Sequence, residues 1–177
     1  MRMDSSNKIL LSKFKHTLTN EYKERMIAFL HDHPESFQEA IELAIIDDQP
    51  YSWRSAWLLW SCLDKFGTQC QAYTDAIIKS IPSKADGHQR ELLKILFELP
   101  LNETQEGILY DLCVNLWLGI HKKPSIRYTA FRFLVKIATK HPDLIREIHY
   151  LTENKYLESL SPGVKKGVEK LLNTLNN

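Results

Sequence analysis

The sequence reads as an all-α protein assembled from repeated helix pairs, and three observations lead there. Apolar residues recur at three- and four-residue intervals along most of the chain, with no convincing two-residue alternation of the kind strands require. Chain breakers return in step, Pro50, Gly87 and Pro124 each lying 37 residues apart. Glycine and proline are scarce, 6 and 7 in 177 residues, which speaks against a turn-rich β sandwich and a Gly-rich phosphate loop.

Residues 18–32 place Leu18, Tyr22, Met26, Ile27, Phe29 and Leu30 on one stripe, after an amphipathic lead-in from Ile9 to Phe14. Pro34 sits where a first-turn proline is tolerated, and Phe37, Ala40, Ile41, Ala44 and Ile45 form the next stripe. Asp47-Asp48-Gln49-Pro50 breaks that helix. A third starts near Ser52, a fitting N-cap, and carries Trp53, Ala56, Trp57, Trp60 and Leu63 until Gly67 ends it. Residues 69–81 present Ala72, Tyr73, Ala76, Ile77 and Ile81 and stop at Pro82. Asp86 caps a helix with Leu92, Leu93, Leu96, Phe97 and Leu99, which Pro100 stops. Asn102 caps the next, with Glu103 where a negative charge suits the helix dipole, and this helix buries Ile108, Leu109, Leu112, Cys113, Leu116 and Trp117. From Pro124 a helix runs to about Lys140, His141-Pro142-Asp143 opens another to about Leu151, and a last one follows Ser161-Pro162. The expectation is nine helices with short links.

The helices share a skeleton: an apolar residue, a basic residue, a small or apolar residue four places on, and apolar residues eight and eleven places on. It is clearest from Ile126 through Arg127, Ala130, Leu134 and Ile137, and returns in Val164, Lys165, Val168, Leu172 and Leu175. Ser52, Ala56, Trp60 and Leu63 fit, as do Leu18, Tyr22, Met26 and Phe29, whereas the copy from Gln89 fits loosely. Starts at 18, 52, 89, 126 and 164 are spaced by 34, 37, 37 and 38 residues. One helix pair cannot bury its apolar face alone, whereas stacked pairs build a continuous core.

The stretch PSIRYTAFRFLVKIATKHPDLIREI, with its proline, apolar-Arg pair, central alanine and second-helix start, resembles a HEAT repeat. The resemblance covers about residues 18–177, leaving 1–17 as an arm. It implies a right-handed α-α superhelix, a HEAT/ARM-like solenoid of about four helix pairs and a terminal half repeat, in one domain. It also implies a scaffold whose second helices line a concave protein-binding surface. Gln38, Glu42, Gln71, Asp75, Glu106, Tyr110, Arg146 and Tyr150 are the polar positions of those helices. Tyr110 and Tyr150 stand out as anchors, since tyrosine is enriched at binding hot spots.

Composition narrows the function classes. Hydrophobic residues make up 44% and charged residues 25%, as in ordinary soluble domains. No apolar run reaches the roughly 7–15 residues of a signal peptide or the roughly 20 of a membrane span, so the cytoplasm is the expected address. Cys62, Cys70 and Cys113 form neither a CxxC pair nor an even framework. His31 and His33 point to different helical faces, His141 and His149 are eight residues apart, and His16, His88 and His121 stand alone. No metal site and no cofactor is expected. A GxSxG elbow, an SxxK pair and the GSSxMPxKxN-like loop of fumarase-type lyases are all missing, and Asp47-Asp48 sits in a linker, so the chain does not read as an enzyme.

Two features invite a second reading. Trp53, Trp57 and Trp60 share one helical face beside Arg54, where a bulky interhelical core is the simpler account. An aromatic pocket of the sort HEAT-like alkylation-repair glycosylases carry is the alternative, a likeness at the level of fold alone. Charge is also polarised: residues 32–111 carry 14 acidic and 6 basic side chains, and residues 120–177 carry 5 and 11. Lys122, Lys123, Arg127, Arg132, Lys136 and Lys140 are candidates for an anion or nucleic-acid patch in an overall charge of +1. A protein partner is favoured over nucleic acid, no membrane is expected, and the polar Lys165, Lys166, Glu169 and Lys170 suit the cap of a monomer.

Overall fold

The computed structural model describes residues 20–175, so the 1–17 arm, its lead-in and Leu18 lie outside the described residues. Among the described residues there are eleven α-helices, two single 3-10 turns and no strand. The fold is all-α. The chain divides into two compact units, one ending at Pro100 and one beginning at Leu101.

The first unit holds α1 (Asn20–Asp32), α2 (Glu35–Ile45), α3 (Tyr51–Trp60), α4 (Leu63–Gln71), α5 (Thr74–Ser80) and α6 (Asp86–Glu98). Helix α3 is central and packs on α2, α6 and α1. Its buried face is built of small and aliphatic residues, Ser52, Ser55, Ala56, Leu58 and Leu59. Small side chains let the backbones approach, and the Ser55 hydroxyl donates to the Ala40 carbonyl of α2 at 2.6 Å. Phe37 of α2 stacks on Phe66 of α4 with centroids 4.3 Å apart.

Several expected boundaries move. Ser52 is no N-cap: it is buried inside α3, its hydroxyl accepting from the Asp48 amide at 2.9 Å, and Pro50 holds the cap position. The helix does not run on to Gly67. Ser61 and Cys62 donate to the carbonyls three residues back, tightening and ending the turn, and Gly67 lies mid-way along α4. Pro82 belongs to a 3-10 turn, Ile81–Ser83, instead of stopping a helix. Asp86 is the first helical residue and not the cap, which falls on Ala85.

The second unit holds α7 (Glu103–Leu118), α8 (Pro124–Lys140), α9 (Ile145–Tyr150), α10 (Asn154–Leu157) and α11 (Pro162–Leu175). Helix α8 is its axis, packed against α7, α9 and α11. Its bounds match the expected ones because Pro124 starts it with no amide to satisfy. Asn102 caps α7 as expected, in a full capping box with Gln105. Ile108, expected inside, is 54% exposed, whereas Leu109, Tyr110, Cys113, Leu116 and Trp117 turn inward. Helix α10 has no signal in the sequence, since four residues, half of them polar, show no periodicity. At Gly167 a Cβ would fall 2.9 Å from the far end of the Tyr128 side chain, so a larger residue on α11 requires that ring on α8 to shift.

Candidate partner-binding faces

In the first unit, α2 projects Gln38 and Glu42 to solvent one turn apart. The Gln38 amide donates to Glu42 Oε1 at 3.0 Å, and the Tyr73 hydroxyl reaches the same oxygen at 3.4 Å. Beside them runs a groove of about 470 Å³ lined by Pro34, Glu35, Gln38, Ile41, Gln69, Ala72 and Tyr73. Tyr73 belongs to this face although its spacing reads as part of an apolar stripe; its position just before α5 is what turns it outward. Burial and then the Glu42 carboxylate raise its phenol pKa. Gln71 does not line the groove. Its amide donates to the Pro100 carbonyl at 2.6 Å and ties α4 to the second residue past the end of α6. Asp75 is exposed in the first turn of α5.

In the second unit, Arg146 and Tyr150 are the expected residues that are exposed. They pair along α9, the guanidinium donating to the Tyr150 hydroxyl at 3.1 Å. Tyr110 corrects the expectation of an anchor. It is 7% exposed and packs inside α7, where burial and then the Glu147 carboxylate push its pKa up. Glu106 is half-buried at the rim of a cleft of about 480 Å³ that Tyr110, Ile137, His141 and Leu144 also line. It binds Lys140 Nζ at 2.7 Å and lies 3.8 Å from His141 Nε2. A residue expected in a partner face and one expected in a basic patch thus hold each other.

The basic patch loses a second member. Arg127 is 0% exposed, and its guanidinium donates to the Trp117 carbonyl at 2.9 Å, the Ser159 hydroxyl at 2.7 Å and the Tyr156 carbonyl at 2.5 Å. Burial lowers its pKa, but an arginine keeps its proton, and here its N–H groups reach three acceptors on two chain segments. Arg132, Lys136 and Lys140 are exposed at four-residue spacing on α8, Lys123 is exposed before it, and Lys122 is half-buried.

The tryptophan stripe of α3 is not its core face. Trp53 and Trp57 are half-buried and Trp60 is 36% exposed, because the close approach of α2 selects the small residues instead. Lys94 Nζ sits 3.5 Å above the Trp60 ring and Lys23 Nζ 5.1 Å above Trp57, while Trp53 lies over Gly87. The core tryptophan is Trp117 of α7, fully buried, its indole donating to the Leu151 carbonyl at 2.6 Å.

Reactive groups are turned inward. All three cysteines are buried, and burial pushes the Cys62 thiol to about 11 and the Cys70 thiol to about 12, so neither offers a thiolate near neutrality. Among the described residues no group of three His, Cys, Asp or Glu side chains is arranged to hold a metal ion. His88, read as standing alone, is a core residue. Its Nε2 donates to the Ala44 carbonyl at 2.7 Å, which leaves Nδ1 to accept from the Gln49 amide at 3.0 Å. Glu91 is equally buried, clamped by Arg90 at 2.6 Å and Lys94 at 2.8 Å.

The chain matches the model of the HEAT repeat domain family over residues 10–175. No curated protein and no solved structure matches it. With helices paired around α3 in one unit and α8 in the other, and with that match over most of its length, the chain belongs to the HEAT repeat domain family.

Proposed function

We propose that this chain is a non-enzymatic scaffold that binds another protein through the exposed polar rows of its second helices. HEAT repeats generally serve as protein-interaction scaffolds. The observation that carries the reading is the pre-set order of those rows: Glu42 is held by Gln38 and Tyr73, and Tyr150 by Arg146. Side chains already fixed by neighbours lose little freedom when a partner covers them. Free buried thiols suit a reducing compartment, and the cytoplasm is part of the proposal. So is a monomer, since Lys166, Glu169 and Lys170 face out from α11. Among the described residues no helix is long and apolar enough to cross a membrane.

The test is site-specific photo-crosslinking in lysate, with the photoreactive residue at Gln38, Asp75 or Tyr150 and, as control, at Ala28 or Glu24 on α1. Adducts of one mass at the first set and none at the controls are expected. Equal labelling at both sets, or none at either, overturns the proposal. Tyr110 is a poor probe because truncating it opens the core.

A further inference from the structure

We infer that the groove between α2 and the α4–α5 turn docks a basic segment of the partner, its lysine or arginine side chains entering alongside Tyr73. This rests on the scaffold reading and adds the chemistry of what is bound.

Residues 35–50, which form α2 and its exit, contain five carboxylates and no lysine, arginine or histidine. Three of the five, Glu35, Glu39 and Glu42, lie along α2 itself. Glu42 receives only neutral donors, Gln38 and Tyr73, and Glu35 faces the His33 imidazole at 3.2 Å. No lysine or arginine ion pair reaches Glu39 or Glu42 among the described residues. Burial and then the charges of Glu42 and Glu35 raise the Glu39 pKa, the sign of a crowded negative face. The accessible apolar lining of the groove is Pro34 and Ala72, above the buried Ile41, with the half-buried Tyr73 ring beside them. Its volume of about 470 Å³ is in the range of small binding clefts, roughly 300–1,000 Å³.

Those features match one kind of side chain. A lysine or arginine lays its methylene stem on apolar surface while its head seeks charge. Here the stems lie on the exposed Pro34 and Ala72, one head meeting the Glu35 carboxylate and the next, two turns along α2, the Glu42 carboxylate and the face of Tyr73. An acidic segment is repelled by the same carboxylates, and a purely apolar one leaves them covered without a partner.

The experiment titrates the intact chain into a fluorescein-labelled nona-arginine peptide and, separately, into a nona-glutamate peptide, at 50 and 150 mM salt. Saturable binding of the arginine peptide alone is expected. Substituting Glu35→Gln with Glu42→Gln should weaken it at least tenfold, and Tyr73→Ala severalfold. Glu103→Gln with Asp111→Asn removes the same charge in the other unit and should leave affinity within twofold. No binding at 50 mM salt, or equal losses from both double variants, overturns the inference. If photo-crosslinking from Gln38 still captures a partner while the arginine peptide fails to bind, the face stands and its basic specificity falls. If both fail, the scaffold reading falls with it.

Discussion

At the residue scale, polar side chains inside this protein act as fasteners. Arg127 ties the end of α7 to the α10 region through acceptors 10, 29 and 32 positions away in sequence. Arg127→Met leaves two carbonyls and a hydroxyl without that donor and should cost about 3 kcal/mol, read as a lower urea midpoint. Arg127→Lys should recover little, since one ammonium cannot span three diverging acceptors. His88 makes stability depend on pH. Burial lowers its pKa below the ordinary 6.5, so the folded state favours the neutral ring and the unfolded chain takes up the proton more readily. Its contribution is complete above the unfolded value and is lost as pH falls through 6.5 toward the lower folded value. Urea midpoints from pH 7.5 to 5 should therefore fall more steeply for the native chain than for His88→Gln, and parallel curves would refute this role.

At the element scale, helix ends are local where a side chain or proline makes them and long-range where packing does. The capping box at Asn102 satisfies two amides of the first turn of α7. Asn102→Ala should cost about 1 kcal/mol in thermal or urea unfolding. The break after Trp60 has no such signature, because the stripe through Trp53, Trp57 and Trp60 runs straight into it and only the tightened turn at Ser61 and Cys62 divides α3 from α4. The seat of α11 offers a double-mutant test. Gly167→Ala drives a Cβ into the Tyr128 ring at 2.9 Å and should lower the melting temperature. In a Tyr128→Ala background the same change should become neutral or stabilising, because alanine gains about 1 kcal/mol over glycine in a helix.

At the scale of the whole molecule, the charge imbalance of the sequence is partly consumed within each unit. Glu106 takes up Lys140, Glu91 takes up Lys94 and Arg90, and Arg127 is sequestered. The exposed basic side chains of α8 form a short stripe, Arg132, Lys136 and Lys140. A stripe of that size neutralises few phosphates, so DNA duplex affinity should be negligible at 200 mM salt. A fluorescence-anisotropy titration at 50 and 200 mM checks it. Saturable binding at 200 mM that a Lys136/Lys140/Arg146 triple alanine variant abolishes would put nucleic acid ahead of a protein partner.

The sequence by itself determined the all-α class, the recurring helix pair and the ends of α8, since periodicity, proline and glycine act over a few residues. It also marked Gln38, Glu42, Arg146 and Tyr150 as outward polar positions on second helices, which is where they stand. Tertiary structure alone decided which side of α3 is core, and it chose Ser55 and Ala56 over three tryptophans because α2 approaches too closely for large rings. It drew Tyr110 and Arg127 inside, although both read as positions of an exposed face, and it made core residues of His88 and Glu91, which no local pattern marks. The physical reason is the same for all four. Burial of a polar group is set by whether partners from distant segments meet it, and no local pattern carries that information.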